Sequence, residues 1–76
     1  MDIEQLIEGI AEALEVDVSR ISLDSRSSDV EEWDSLGHIS VMAYLDRAFN
    51  DITERVPDFA SATSVQEIFD LLDKNL

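Results

Sequence analysis

Cysteine is absent from the chain, which excludes disulfides and any thiol nucleophile of the protein's own. Thiol chemistry, if the protein takes part in it, must arrive on a cofactor. Basic residues are almost as scarce: five Lys and Arg stand against eighteen Asp and Glu, for a formal charge of −13. Such a surface repels nucleic-acid phosphates and anionic lipid headgroups and steers cationic protein surfaces inward, so nucleic acid is not an expected partner. Self-repulsion also makes the fold sensitive to salt, with salt or divalent cations stabilising it. The N-terminus has no basic stretch followed by an apolar run, and no apolar segment nears membrane-spanning length. Stable membrane insertion is therefore not expected, and a cytoplasmic location is. Glycine-rich phosphate loops, internal repeats, low-complexity tracts and long heptad runs are missing too.

What remains is a 76-residue chain that is 45% hydrophobic, enough apolar material to order a backbone in which 30% of residues are charged. It reads as a single domain over residues 1–76, monomeric, with one small core and little room for a deep catalytic pocket. Ile3, Leu6, Ile7, Ile10, Ala11 and Leu14 fall at helical spacing behind a capping Asp2, with Gln5 placed to complete a capping box. Gly9 interrupts that helix. From Val16 to Val30 the period is lost amid Asp and Ser, which predicts a long loop anchored by Val16, Val18, Ile21, Leu23 and Val30.

A second helix is expected to start at Asp34 or Ser35 and to end near Phe49, burying Leu36, Ile39, Met42, Ala43, Leu45 and Phe49 and turning Ser40, Tyr44 and Arg47 outward. Asn50 to Asp58 reads as a loop because Pro57 forbids a continuing helix, with one short helical turn over Asp58–Ala62. The last helix opens at Thr63 or Ser64, with Glu67 at capping-box distance from Ser64. It buries Val65, Ile68, Phe69, Leu72 and Leu76. The fold class is thus all-α: a small four-helix bundle of three main helices and one short one, with a long loop between the first two.

The stretch that bears chemistry is Glu31-Glu32-Trp33-Asp34-Ser35-Leu36-Gly37-His38. An Asp-Ser pair stands where an apolar-periodic segment begins, which puts Ser35 at a helix mouth where free N–H groups and the macrodipole favour a phosphate. Asp34-Ser35-Leu36, near mid-chain between an amphipathic helix with its long loop and a second helix, resembles the signature of the acyl carrier proteins and the related peptidyl carrier domains. The resemblance covers essentially the whole chain. It implies a four-helix carrier domain in which a phosphopantetheinyl transferase attaches 4′-phosphopantetheine to the Ser35 hydroxyl, and the thiol of that arm holds acyl groups as thioesters. The protein would then catalyse nothing itself, and would present cargo to acyl-transferring or acyl-activating enzymes with basic docking patches.

Under this resemblance Asp34 helps position the modifying enzyme's metal and coenzyme, and Leu36 is an apolar partner contact. Asp29, Glu31, Glu32 and Asp34 form an electrostatic landing surface around Ser35. His38, Met42 and Asp46 on the second helix complete the expected partner face, with His38 a solvated residue near the arm. Two departures stand out: fatty-acid carriers commonly place acids along the second helix, whereas this chain has Ser40 where one would be expected and Arg47 beside Asp46, and the third-helix region is about two residues short. A specialised carrier of a lipid, glycan or secondary-metabolite pathway fits these departures. If the helices part, an acyl chain could shelter among Met42, Ala43, Phe49, Ile52, Phe59, Ile68 and Leu72.

Two rivals belong to other classes. A serine hydrolase would pair Ser35 with His38 one turn away, but the nucleophile-elbow glycines are missing. An unmodified acidic helical adaptor would use the same charge without using Ser35. Trp33 reads as the anchor of the preceding loop. The acids lack the spacing of a calcium loop, and no metal site is expected.

Overall fold

The computed structural model describes residues 2–76. Four helices, α1 (Ile3–Leu14), α2 (Ser35–Phe49), α3 (Ile52–Arg55) and α4 (Val65–Asn75), are joined by loops carrying 3₁₀ turns at Val18–Arg20, Ser27–Asp29 and Pro57–Ser61. There is no β-strand among the described residues, and no helix is long and apolar enough to cross a membrane. The molecule is a small all-α bundle.

α1 starts where Asp2 accepts a hydrogen bond from the Glu4 amide at 3.0 Å. It ends at Glu15, which turns left-handed (φ 57°) so that its N–H and that of Val16 can close on carbonyls of the last turn. Leu6, Ile10, Ala11 and Leu14 are buried, as the period predicts, while Ile3 and Ile7 are half-covered. α4 begins at Ser64, whose hydroxyl accepts from the Glu67 amide at 3.1 Å, and Glu67 in turn accepts from the Thr63 hydroxyl at 2.9 Å. Its buried residues are Val65, Ile68 and Leu72. Leu76, expected inside, is 64% exposed, because the helix stops at Asn75 and leaves the last residue beyond the core.

α2 corrects the expected helix face. Val41 and Leu45 are fully buried, Tyr44 packs against the core, and Leu36, Ile39 and Ala43 lie outside. The reason is the contact with α1. Tyr44 lies across Gly9, where a Cβ would come within 2.0 Å of its ring, and Gly37 faces Leu14. Small residues on the crossing face let the helix axes approach. Gly9→Ala is therefore expected to destabilise the parent through overpacking yet to stabilise a Tyr44→Ala background by about 1 kcal/mol through helix propensity. Urea denaturation of the four proteins of this cycle checks the change of sign.

After α2 the chain does not form the loop expected over Asn50–Asp58. Asn50 and Asp51 both take left-handed backbone (φ 58° and 60°), a conformation these two residue types tolerate, and this turns the chain straight into α3. The cap of α3 comes from α2: Asp46 accepts from the Thr53 amide at 2.9 Å and from its hydroxyl at 2.8 Å. Ile52 is thereby buried completely. Val56 breaks the helix before Pro57, and the short turn expected at Asp58–Ala62 is the 3₁₀ turn Pro57–Ser61, which sinks Phe59 into the core.

The long connection between α1 and α2 is fastened at its middle. Ser27 N–H donates to the Thr63 carbonyl at 2.8 Å and Val65 N–H to the Ser25 carbonyl at 3.0 Å, an antiparallel bridge to the mouth of α4. Ile21, Val30 and Trp33 are buried beneath it and Val16 and Leu23 partly so, whereas Val18, expected as an anchor, is 48% exposed on the first 3₁₀ turn.

Candidate functional site

The sequence leaves open which residue caps α2, and the geometry decides it. Asp34 has extended backbone, its carboxylate accepts from the Gly37 amide at 2.8 Å, and Ser35 is the first helical residue. The Ser35 side chain is exposed and is not needed for the cap. A hydroxyl is thus presented at a helix N-terminus whose capping is already complete, where the helix dipole favours an attached anionic group.

The turn that carries Ser35 is braced from both sides. The Glu32 carbonyl lies over Gly37, so close that a Cβ there would come within 2.1 Å of it. Trp33, only 3% exposed, anchors the loop as expected. Its indole Nε1–H donates to His38 Nδ1 at 3.0 Å, and His38 Nε2 meets the Phe59 carbonyl at 2.9 Å. His38 is therefore not the solvated residue the sequence suggests. Because its Nδ1 already accepts from the indole and its Nε2 is turned to Phe59, the ring has no free acceptor to serve Ser35 as a general base, and the Ser–His pair of the hydrolase reading is not assembled.

Beside Ser35 an open groove of about 530 Å³ runs between the start of α2 and the Pro57–Ser61 turn. Asp34, Ser35, His38, Ile39 and Met42 line one side, and Ala60 to Thr63 the other. The residues proposed to shelter an acyl chain do not surround a common space. Ile52, Phe59, Ile68 and Leu72 are fully buried in the packed core, Met42 lines the groove, Phe49 lies in a different hollow against α1, and Ala43 is exposed.

No family model matches the chain, nor does any curated protein or solved structure.

Of the expected partner residues, Leu36 stands out at 76% exposure. Ile39, one turn along and 58% exposed, extends it into an apolar pair beside Ser35, although its periodicity predicts a core position. Asp29, Glu31, Glu32 and Asp34, on the segment that leads into α2, are all exposed. Glu32 is engaged: Arg20 forms a two-pronged ion pair with it, both N–O distances 2.9 Å, and the hydrogen bond to Arg20 holds its carboxyl below the usual range. The acids without such a partner are Asp29, Glu31 and Asp34. Asp46 departs from the expected partner face, since both its oxygens serve Thr53 in the α3 cap. No cluster of His, Asp and Glu among the described residues could hold a metal ion.

Proposed function

We propose that this chain is a carrier protein on which Ser35 bears 4′-phosphopantetheine. The observation that carries the reading is that Asp34, not Ser35, caps α2, which leaves an exposed hydroxyl at the helix mouth with no structural duty. The donor set suits the group. A phosphodiester at Ser35 would be favoured by the positive end of α2, and the groove beside it is lined by both apolar side chains, Ile39 and Met42 among them, and polar ones, Ser61 and Thr63 among them, which suits a chain of amides and methylenes. When bound, the arm supplies the thiol that this cysteine-free chain lacks.

Attachment requires a partner, a phosphopantetheinyl transferase. The serine oxygen bonds to the phosphorus bearing the pantetheine, the pyrophosphate link of coenzyme A breaks, the nucleoside 3′,5′-bisphosphate leaves, and the serine proton passes to a base on the transferase. The chain's own contribution is presentation. The exposed Leu36 and Ile39, with the exposed acids Asp29, Glu31 and Asp34 just upstream in the chain, suit acyl-transferring enzymes with an apolar docking spot and a basic patch. The mixed Ser40, Asp46 and Arg47 stretch supports a dedicated lipid, glycan or secondary-metabolite pathway.

Incubation with coenzyme A and a broad-specificity phosphopantetheinyl transferase, followed by intact mass, tests this. The parent is expected to gain one phosphopantetheinyl group and Ser35→Ala none. No gain in a parent shown to be folded, with transferases from its own source included, overturns the reading and leaves the acidic adaptor.

A further inference from the structure

His38 is held from two segments at once, and the direction of its hydrogen bonds follows from its neighbours. Indole Nε1–H can only donate, so the His38 Nδ1 that meets it at 3.0 Å must accept. The Phe59 carbonyl can only accept, so Nε2, 2.9 Å away, must carry the ring proton. Both bonds are made together by one form of the side chain, the neutral ring protonated at Nε2. The rings lie nearly parallel, with centroids 6.2 Å apart.

We propose that His38 is a positioning residue for the Ser35 groove: its neutral ring pins the loop before α2 to the Pro57–Ser61 turn, and a second proton releases that wall. A proton on Nδ1 removes the acceptor and leaves the buried Trp33 N–H without a partner. The indole and the ring must then part, while Nε2–H still donates to the Phe59 carbonyl, so what breaks is the tie between the loop before α2 and the Pro57–Ser61 turn. Among the described residues, Asp34 is the one other ionisable residue lining the groove. On the neighbouring turns, Asp58 and Asp29 are exposed. None of the three carboxylates takes part in the relay, so the release belongs to the histidine. The effect on an arm lying in the groove rests on the carrier reading; the relay does not.

The chain has one histidine and one tryptophan, so both rings are assigned by composition. Nitrogen-15 spectra of the unmodified protein, titrated from about pH 8 to about pH 5, read the relay directly. Expected are a ring protonated at Nε2 at the upper end, and a single midpoint shared by the ring, the Trp33 Nε1–H and the amides of Phe59 to Ala62. His38→Gln, whose amide can accept from Trp33 and donate to Phe59, should keep the upper-pH spectrum and lose the titration. His38→Phe should speed exchange of the Ala62 amide about five- to tenfold.

A ring protonated at Nδ1, or a histidine that titrates while the indole and the Phe59 to Ala62 amides stay fixed, overturns the proposal even if His38→Phe does not fold. In the loaded protein, contacts of arm protons with Met42 should be present at the upper pH and lost at the lower. If Ser35 takes up no arm, the carrier reading falls and the titration still decides the relay.

Discussion

Phe59→Ala is expected to lose about 3–5 kcal/mol of folding stability, the usual cost of removing a buried aromatic ring. The ring is the largest of the fully buried side chains, and it enters the core from a 3₁₀ turn that has no other buried residue to hold it. A domain of this size has about 4–11 kcal/mol in all, so the variant should lose a large part of its margin and unfold at much lower urea. Urea denaturation followed by Trp33 fluorescence gives the comparison. Phe59→Leu, which keeps most of the volume, should lose much less, about 1–1.5 kcal/mol. A loss below about 1 kcal/mol for the alanine variant would mean that the core closes over the gap.

Gly37→Ala is expected to destabilise by about 1–2 kcal/mol although alanine is the better helix former. The propensity gain is about 1 kcal/mol, while overpacking costs up to about 3 kcal/mol. The upper end applies because the obstruction is backbone: the Glu32 carbonyl oxygen would lie 2.1 Å from the new Cβ, and a carbonyl cannot rotate aside as a side chain can. Relief requires the loop through Glu32 and Trp33 to lift, carrying Asp34 away from the amide it caps. The same denaturation series measures the loss, and the indole N–H resonance reports the displacement. A variant as stable as the parent with an unmoved indole would show that the loop yields freely.

How far the sequence could be read follows the distribution of charge on each helix. On α1 and α4 the acids gather on one side, so the apolar period has a single phase and the buried face is legible. α2 carries apolar residues nearly all round, and Leu36, Ile39, Met42 and Ala43 make as good a stripe as Val41 and Leu45 do. The choice between them is made by α1, where Gly9 accepts the Tyr44 ring; the series Gly37, Val41, Tyr44, Leu45 and Ala48 was the available clue. α3 was hidden for another reason. Its cap lies seven residues upstream on Asp46, and its first residue follows two left-handed ones, so no local capping pattern announces it.

At the candidate site, the place of Ser35 at a helix start was legible because acid, hydroxyl and apolar period stand together in the chain. The share of labour between Asp34 and Ser35 was not, since either residue type can cap. His38 was read as solvated because the carbonyl it reaches is 21 residues away, and only the turn that buries Phe59 brings it near.

The bridge from Ser25 and Ser27 to Thr63 and Val65 joins positions about half the chain apart. Contacts of that span must outweigh the entropy of closing a large loop. They are also a mechanical linkage. The loop stitched to the mouth of α4 is the one that runs on through Val30 and Trp33 to Ser35, so the C-terminal helix cannot peel away without slackening the approach to that serine. A fluctuation at the mouth of α4 is therefore felt at the mouth of α2, and the amides of Ser27 and Val65 should exchange with solvent as a single unit.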